Sequence, residues 1–222
     1  MTNNDDIFSD IKAIVFDMDG VLVNSMPFHA IAWQKAFENS GLEVDRKLFY
    51  EMEGMNQKRT IEEVLDMLNE DTAPEEVKKI GRKKTELTER NLQIEIFPRT
   101  VELLPKIKEK YMLGVVSGST RQFVDEVIEE YFENCFDVVV AGEDTEESKP
   151  SPDPYTRSIE KLDMKKKNIL VIENAPLGIE SAKRAGLKCV AVATYLPEDK
   201  LMGADLVLES HRELVDFLNK GL

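Results

Sequence analysis

Ala13-Ile14-Val15-Phe16-Asp17-Met18-Asp19-Gly20 sets a short, uninterrupted apolar run directly against two carboxylates and a glycine. A run of this kind reads as a strand buried on both faces, the strand type of a parallel sheet. Taken from residue 11 to 16, it is the first of six; the others are residues 113–116, 138–141, 169–172, 190–193 and 206–208. Helical spacing lies between them. Val101, Leu104 and Ile107 follow Thr100 as a cap; Phe123, Val124, Val127 and Ile128 share a face; Leu214, Val215 and Leu218 make a last amphipathic helix. This alternation predicts an α/β fold, a Rossmann-like, doubly wound and mostly parallel sheet covered by helices.

One stretch departs from the alternation. From about residue 27 to 95 the pattern is helical only, with Phe28, Ile31, Ala32 and Lys35 on one face and Ile61, Val64, Leu65 and Leu68 on another. Val77, Ile80 and Leu87 continue it. The chain therefore divides into a core of residues 1–25 and 96–222 and a helical insert of residues 26–95. The joints fall at Asn24-Ser25-Met26-Pro27 and Ile96-Phe97-Pro98, where proline interrupts regular structure.

Composition narrows the function. At 222 residues, 42% hydrophobic and 32% charged, the chain has the make-up of a globular protein. A net charge of −14 repels a phosphate backbone, which argues against nucleic acid as a partner. No apolar run reaches the roughly 18 residues of a membrane helix. Residues 1–6 lack the basic start and apolar stretch of a signal peptide, and Cys135 and Cys189 are isolated. A cytoplasmic location, no membrane partner and a monomer are expected. An anionic substrate would need a cation in its site.

Asp17 and Asp19 stand at the carboxyl end of the first strand, where parallel α/β sheets bind ligands. Residues i and i+2 of an extended chain face the same way, so both carboxylates can enter one site. Such a pair raises one pKa unless a cation neutralises it, and Mg²⁺ suits hard oxygen ligands. A carboxylate can attack phosphorus while its neighbour transfers the proton. A calcium loop is excluded, because its twelfth position, counted from Asp17, is Phe28 and not a bidentate glutamate. A plain Asx turn remains open on these residues alone.

Four segments, each at a strand end, carry a resemblance. They are residues 16–22, Val115-Val116-Ser117-Gly118-Ser119, Lys149-Pro150-Ser151-Pro152-Asp153-Pro154-Tyr155, and Val171-Ile172-Glu173-Asn174-Ala175-Pro176-Leu177-Gly178. In this order they resemble the four motifs of the haloacid dehalogenase-like superfamily, in its β-phosphoglucomutase-like branch. The resemblance implies Asp17 as nucleophile and Asp19 as acid–base. It gives Ser117, Gly118 and Lys149 to the phosphate, with the helix after Ser117 offering its first amides. It implies Mg²⁺ held by Asp17, the Asp19 carbonyl and Asn174, with Glu173 reaching it through water. Asn174 departs from the aspartate frequent in relatives and lowers the ligand charge.

The insert resembles the cap that closes over the site in that family. The mutase pattern bears basic residues where this chain has Glu53 and Gln57, so a second phosphate would be repelled; Arg59 is a candidate to compensate. Glu53, Asn174 and the run Asn24-Ser25-Met26-Pro27-Phe28-His29 resemble the inorganic-pyrophosphatase members instead. His29 matches a hinge histidine of relatives and is expected to be structural. Lys83 and Lys84 are candidates to present one ammonium, and Trp33 and Phe37 are expected in the insert's core. The expected activity is metal-dependent hydrolysis of a small phosphorylated metabolite, with pyrophosphate preferred and sugar phosphates next. A phosphosugar mutase, a non-catalytic ligand-sensing scaffold and, remotely, a dehalogenase are the alternatives.

Overall fold

The computed structural model describes residues 7–91, 94–97 and 99–222. Strand β1 (Ala13–Phe16) is followed by the helices α1 (Met26–Glu38), α2 (Leu48–Glu51), α3 (Gln57–Met67) and α4 (Pro74–Asn91). Alternation then resumes with α5 (Thr100–Lys108), β2 (Met112–Val116), α6 (Arg121–Tyr131), β3 (Val138–Val140) and α7 (Asp153–Leu162). The chain finishes with β4 (Ile169–Glu173), α8 (Pro176–Arg184), β5 (Lys188–Val192), β6 (Leu206–Leu208) and α9 (His211–Lys220).

The six strands form one parallel sheet in the order β3-β2-β1-β4-β5-β6. Alternate residues of β1 feed different layers: Ile14 and Phe16 join one apolar cluster, Ala13 and Val15 the other. That is why the run is apolar throughout rather than alternating. The strand order reverses between β1 and β4, and the crevice beyond such a switch point is where ligands bind. Phe16 pairs with Ile172, so Asp17 and Glu173 leave the sheet side by side.

Helices α1 to α4 have a separate apolar cluster, in which Trp33, Phe37 and Phe49 pack as near-parallel rings beside Ile61, Val64, Leu65, Val77 and Ile80. The two joints run together. Val23 and Ile96 form an antiparallel bridge, and the Asn24 amide donates to the Glu95 carbonyl at 2.6 Å.

Three details differ from expectation. In α1 the buried residues are Met26, His29, Ala30, Ala32, Trp33, Ala36 and Phe37, so Ala32 is buried as expected, whereas Ile31 is 37% exposed and Lys35 is exposed. The Trp33 and Phe37 rings bury more apolar area than Phe28 and Ile31 would, and the helix turns accordingly. Leu68 likewise caps α3 and stays half-exposed instead of joining its face. The cap of α5 is Arg99, in left-handed backbone conformation (φ 64°), one residue before Thr100. Pro98 and the side chains of Thr100 and Val101 lie outside the described residues.

Candidate active site

A tight turn places the two aspartates. The amides of Leu22 and Val23 return to the Met18 carbonyl, and Gly20 supplies the positive φ of 81° that the turn requires. Asp17 and Asp19 both line a cleft of about 490 Å³ between the insert and the carboxyl ends of the strands. A larger groove of about 780 Å³ lies between α3 and α4 on the insert. It shares only Gln57 and Thr85 with the cleft and contains neither aspartate, so the chemistry belongs to the smaller one.

Asp17 is buried, and the Lys149 ammonium donates to its Oδ1. Lys149 also donates to Glu173 Oε1 at 2.6 Å, and its ammonium lies 5.2 Å from the centre of the Tyr155 ring. Burial pushes the Asp17 pKa well above the carboxylate range; Lys149 opposes this, while Glu173 and Asp19 add to it. Burial alone would lower the Lys149 pKa, but the carboxylates of Asp17 and Glu173 hold it above its ordinary value. One ammonium thus serves two carboxylates, and negative charge is in excess.

Asp19 is held by three hydroxyls. Ser25 donates to Oδ1, and Ser117 and Ser119 donate to Oδ2 at 3.3 and 3.2 Å. The Ser117 hydroxyl in turn accepts from the Ser119 amide at 3.1 Å. Thr120 caps α6 by accepting from the Phe123 amide, so residues 118–120 present the helix start to the cleft they line.

The insert meets this surface through a loop. Glu53 is buried in the cleft wall and accepts from Asn174 Nδ2 at 2.9 Å. Glu53 Oε1 and Asn174 Oδ1 are buried acceptors without a hydrogen-bond partner. Burial, then the Asp17 charge, pushes the Glu53 pKa well above its ordinary value. Gly54 and Gly118 permit the close approach: a Cβ on Gly118 would stand 2.9 Å from the Gly54 carbonyl oxygen.

Other expected residues are placed less centrally. Gln57 begins α3 and lines the cleft, with its amide oxygen 3.4 Å from the Thr85 hydroxyl. Arg59 pairs with Glu63 at 3.6 Å and does not line the cleft, so it offers no compensating charge there. Glu173, expected to reach a metal through water, has four protein donors of its own. Its Oε1 accepts from Lys149 and Tyr155, and its Oε2 from the amides of Asn174 and Ala175. These four donors hold the buried carboxylate toward Lys149 and the start of α8.

His29 lies in the cleft, Nε2 3.7 Å from Asp19 Oδ1, and burial followed by the Lys84 charge lowers its pKa to about 4. Sequence spacing did not separate Lys83 from Lys84. The structure does: Lys83 pairs with Glu86, whereas Lys84 enters the cleft 5.2 Å from the Trp33 ring centre, and burial lowers its pKa to about 8. Ser25 and Ser119 were also missed as partners of Asp19; their adjacency to motif residues was the available signal.

A second histidine, half-buried, braces the turn after Asp17. His211 Nε2 lies 3.1 Å from the Gly20 carbonyl oxygen and 2.9 Å from the Thr194 hydroxyl, and its ring stacks on Phe97. Burial lowers its pKa from the ordinary 6.5 to about 4. A folded pKa below the unfolded one gives stability that is complete above about pH 6.5 and is lost as pH falls through 4. The expected loss is roughly 2–3 kcal/mol per histidine over that interval. His211→Gln should lose correspondingly less Tm than wild type between pH 7 and 4; parallel Tm profiles would contradict this. The comparison is needed because the raised pKa values of Asp17 and Glu53 act in the opposite sense.

The sequence profile described as haloacid dehalogenase-like hydrolase matches residues 14–192, from β1 to the end of β5. The chain belongs to this family. The helical insert, called the cap below, and the buried Asp17–Lys149 pair both fall within the matched residues. The CbbY protein of Cereibacter sphaeroides is 30% identical over 216 residues, covering 92% of this chain and 94% of that protein. The fructose-1-phosphate phosphatase of Escherichia coli K12 is 25% identical, covering 81% and 95%. A solved Bacteroides vulgatus structure, provisionally named a β-phosphoglucomutase, superposes with a TM-score of 0.88 at 35% identity, covering 96% and 90%. Among the described residues, no helix is long and apolar enough to cross a membrane.

Proposed function

We propose that this protein is a Mg²⁺-assisted phosphohydrolase working through Asp17 on a small phosphorylated molecule, with metal-complexed pyrophosphate preferred. The observation that carries the reading is the pair of unpartnered buried acceptors, Glu53 Oε1 and Asn174 Oδ1, in the cluster that holds Asp17. Among the described residues no three His, Cys, Asp or Glu side chains converge to enclose a metal. The fitting donor set is mixed: the Asp17 carboxylate, the Asp19 carbonyl and the Asn174 amide oxygen, all hard oxygens suited to Mg²⁺. Mg²⁺ bound there would neutralise the crowded carboxylates and draw charge from phosphoryl oxygens.

The chain's own groups account for the proton and bond changes. Lys149 holds Asp17 Oδ1, and among the described residues no hydrogen bond reaches Oδ2, which attacks phosphorus. The bond from phosphorus to the leaving oxygen breaks as Asp19 gives that oxygen its proton. Asp19 then takes a proton from water, the water oxygen bonds to phosphorus, and the Asp17–phosphorus link is released as phosphate. Ser117, Lys149 and the amides of residues 118–120 receive the equatorial oxygens.

Glu53 lines the cleft, and a cation bound beside it would offset its burial and the Asp17 charge and hold it ionised. It would repel a bare second phosphate and accept one presented with a cation, which disfavours a bisphosphate-using mutase. Sugar-phosphate hydrolysis is the second reading. It is favoured by a cleft of about 490 Å³ that continues to Thr88, Gln122 and Glu126, and by the activity named for the Escherichia coli relative. Initial rates with Mg²⁺ on pyrophosphate and a hexose-phosphate panel decide between them. Higher kcat/KM is expected on pyrophosphate; higher efficiency on a sugar phosphate would transfer the reading, and interconversion without phosphate release would end it. Glu53→Gln should cost about 10- to 100-fold in kcat/KM on pyrophosphate and far less on any ester substrate.

A further inference from the structure

The segment after β5 touches the Gly20 turn, the first joint and α2 of the cap. The Thr194 hydroxyl donates to the Gly20 carbonyl at 2.7 Å, bracing the nucleophile turn. The Tyr195 hydroxyl donates to Asn24 Oδ1 at 2.7 Å, at the first joint beside the start of α1. Asn24 reaches on to the second joint through its Nδ2, 3.0 Å from Glu95 Oε2. Ser25, the cap residue of α1, makes no capping bond because its hydroxyl goes to Asp19.

The Tyr195 ring faces both ways. Its Cε2 is so near Gly20 that a Cβ there would stand 2.9 Å away, and its centroid lies 5.1 Å from that of Tyr50 in the cap. Tyr50 lies on α2, three residues before Glu53 in the loop that follows that helix. Lys200 and Glu51 add an ion pair at 3.0 Å between these segments; both are half-exposed, so the rings carry more of the contact.

We propose that Tyr195 is a positioning residue that couples the cap joints to the closed placement of Glu53 against Asn174, with Tyr50 as its counterpart. Its hydroxyl sets the joint and its ring sets the cap loop. The proposal rests on the phosphohydrolase reading for its kinetic consequences, but closure itself is readable without turnover. The sole tryptophan, Trp33, is buried in the cleft wall and is a reporter of opening.

The test measures acrylamide quenching of Trp33 and steady-state kinetics on pyrophosphate with Mg²⁺. Tyr195→Leu and Tyr50→Leu should each raise the quenching constant about twofold. Each should lower kcat/KM by about tenfold or more, since small misplacements near a reacting centre are costly. Tyr50→Phe, which keeps the ring pair, should match wild type; Tyr195→Phe should fall between. The double leucine variant should lose no more than either single one. Unchanged quenching in both leucine variants overturns the proposal, as does raised quenching with kcat/KM within about twofold of wild type, or multiplicative losses. A wild type inert on every phosphate tested would instead sink the phosphohydrolase reading, with quenching still deciding the coupling.

Discussion

Asp17→Asn removes turnover, by at least about 10⁴-fold, without lowering the melting temperature. The amide is nearly isosteric but has no carboxylate oxygen to attack phosphorus. The stability half of the result follows from the crowding around it. Burial and the charges of Glu173 and Asp19 hold the Asp17 pKa well above its ordinary value, so its ionised form is costly in the folded state. A neutral side chain relieves that cost, and Lys149 keeps Glu173 as a partner. Tm by calorimetry beside phosphate release under Mg²⁺ is the measurement. Retained turnover would overturn the nucleophile assignment and leave a ligand-sensing scaffold as the better account.

Lys149→Met has the opposite signature. Lys149 is 2% exposed and bonds Asp17, Glu173 and the Val116 carbonyl. Methionine fills much of the volume but leaves two carboxylates buried without a countercharge. Removing one partner from a buried ion pair costs about 3–5 kcal/mol, and activity should fall by about 10³-fold as phosphate binding is lost. The Tm deficit should be largest near neutral pH and shrink on acidification, as the abandoned carboxylates take up protons. A deficit that stays constant from pH 8 to 5 would show that packing, and not charge, is what Lys149 provides.

Several features were legible in the sequence because they are local. A strand buried on both faces must be apolar at successive positions, so the runs 11–16, 113–116 and 169–172 locate strands whose bounds are 13–16, 112–116 and 169–173. Asp17, Ser117, Lys149 and Glu173 each follow such a strand or its loop, and the sheet order brings the strand ends together. Helix existence was also legible in α1. Burial of Trp33 and Phe37 was legible too, but which neighbours are buried with them was not: Ala32 is, whereas Ile31 and Lys35 turn to solvent. The choice falls to packing against α2 and α4.

The sequence by itself determined where the Asp17–Asp19 pair sits and what class of chemistry it suits, since a strand end followed by two carboxylates and a glycine is a local statement. Tertiary structure decided what surrounds the pair. Glu53 meets Asn174 across 121 residues, Lys84 rather than Lys83 enters the cleft, and Glu173 turns to Lys149. None of these has a sequence period, because each depends on how the cap rests on the core. Side-chain direction there is set by burial and by which charge finds a partner, and those are properties of the assembled fold.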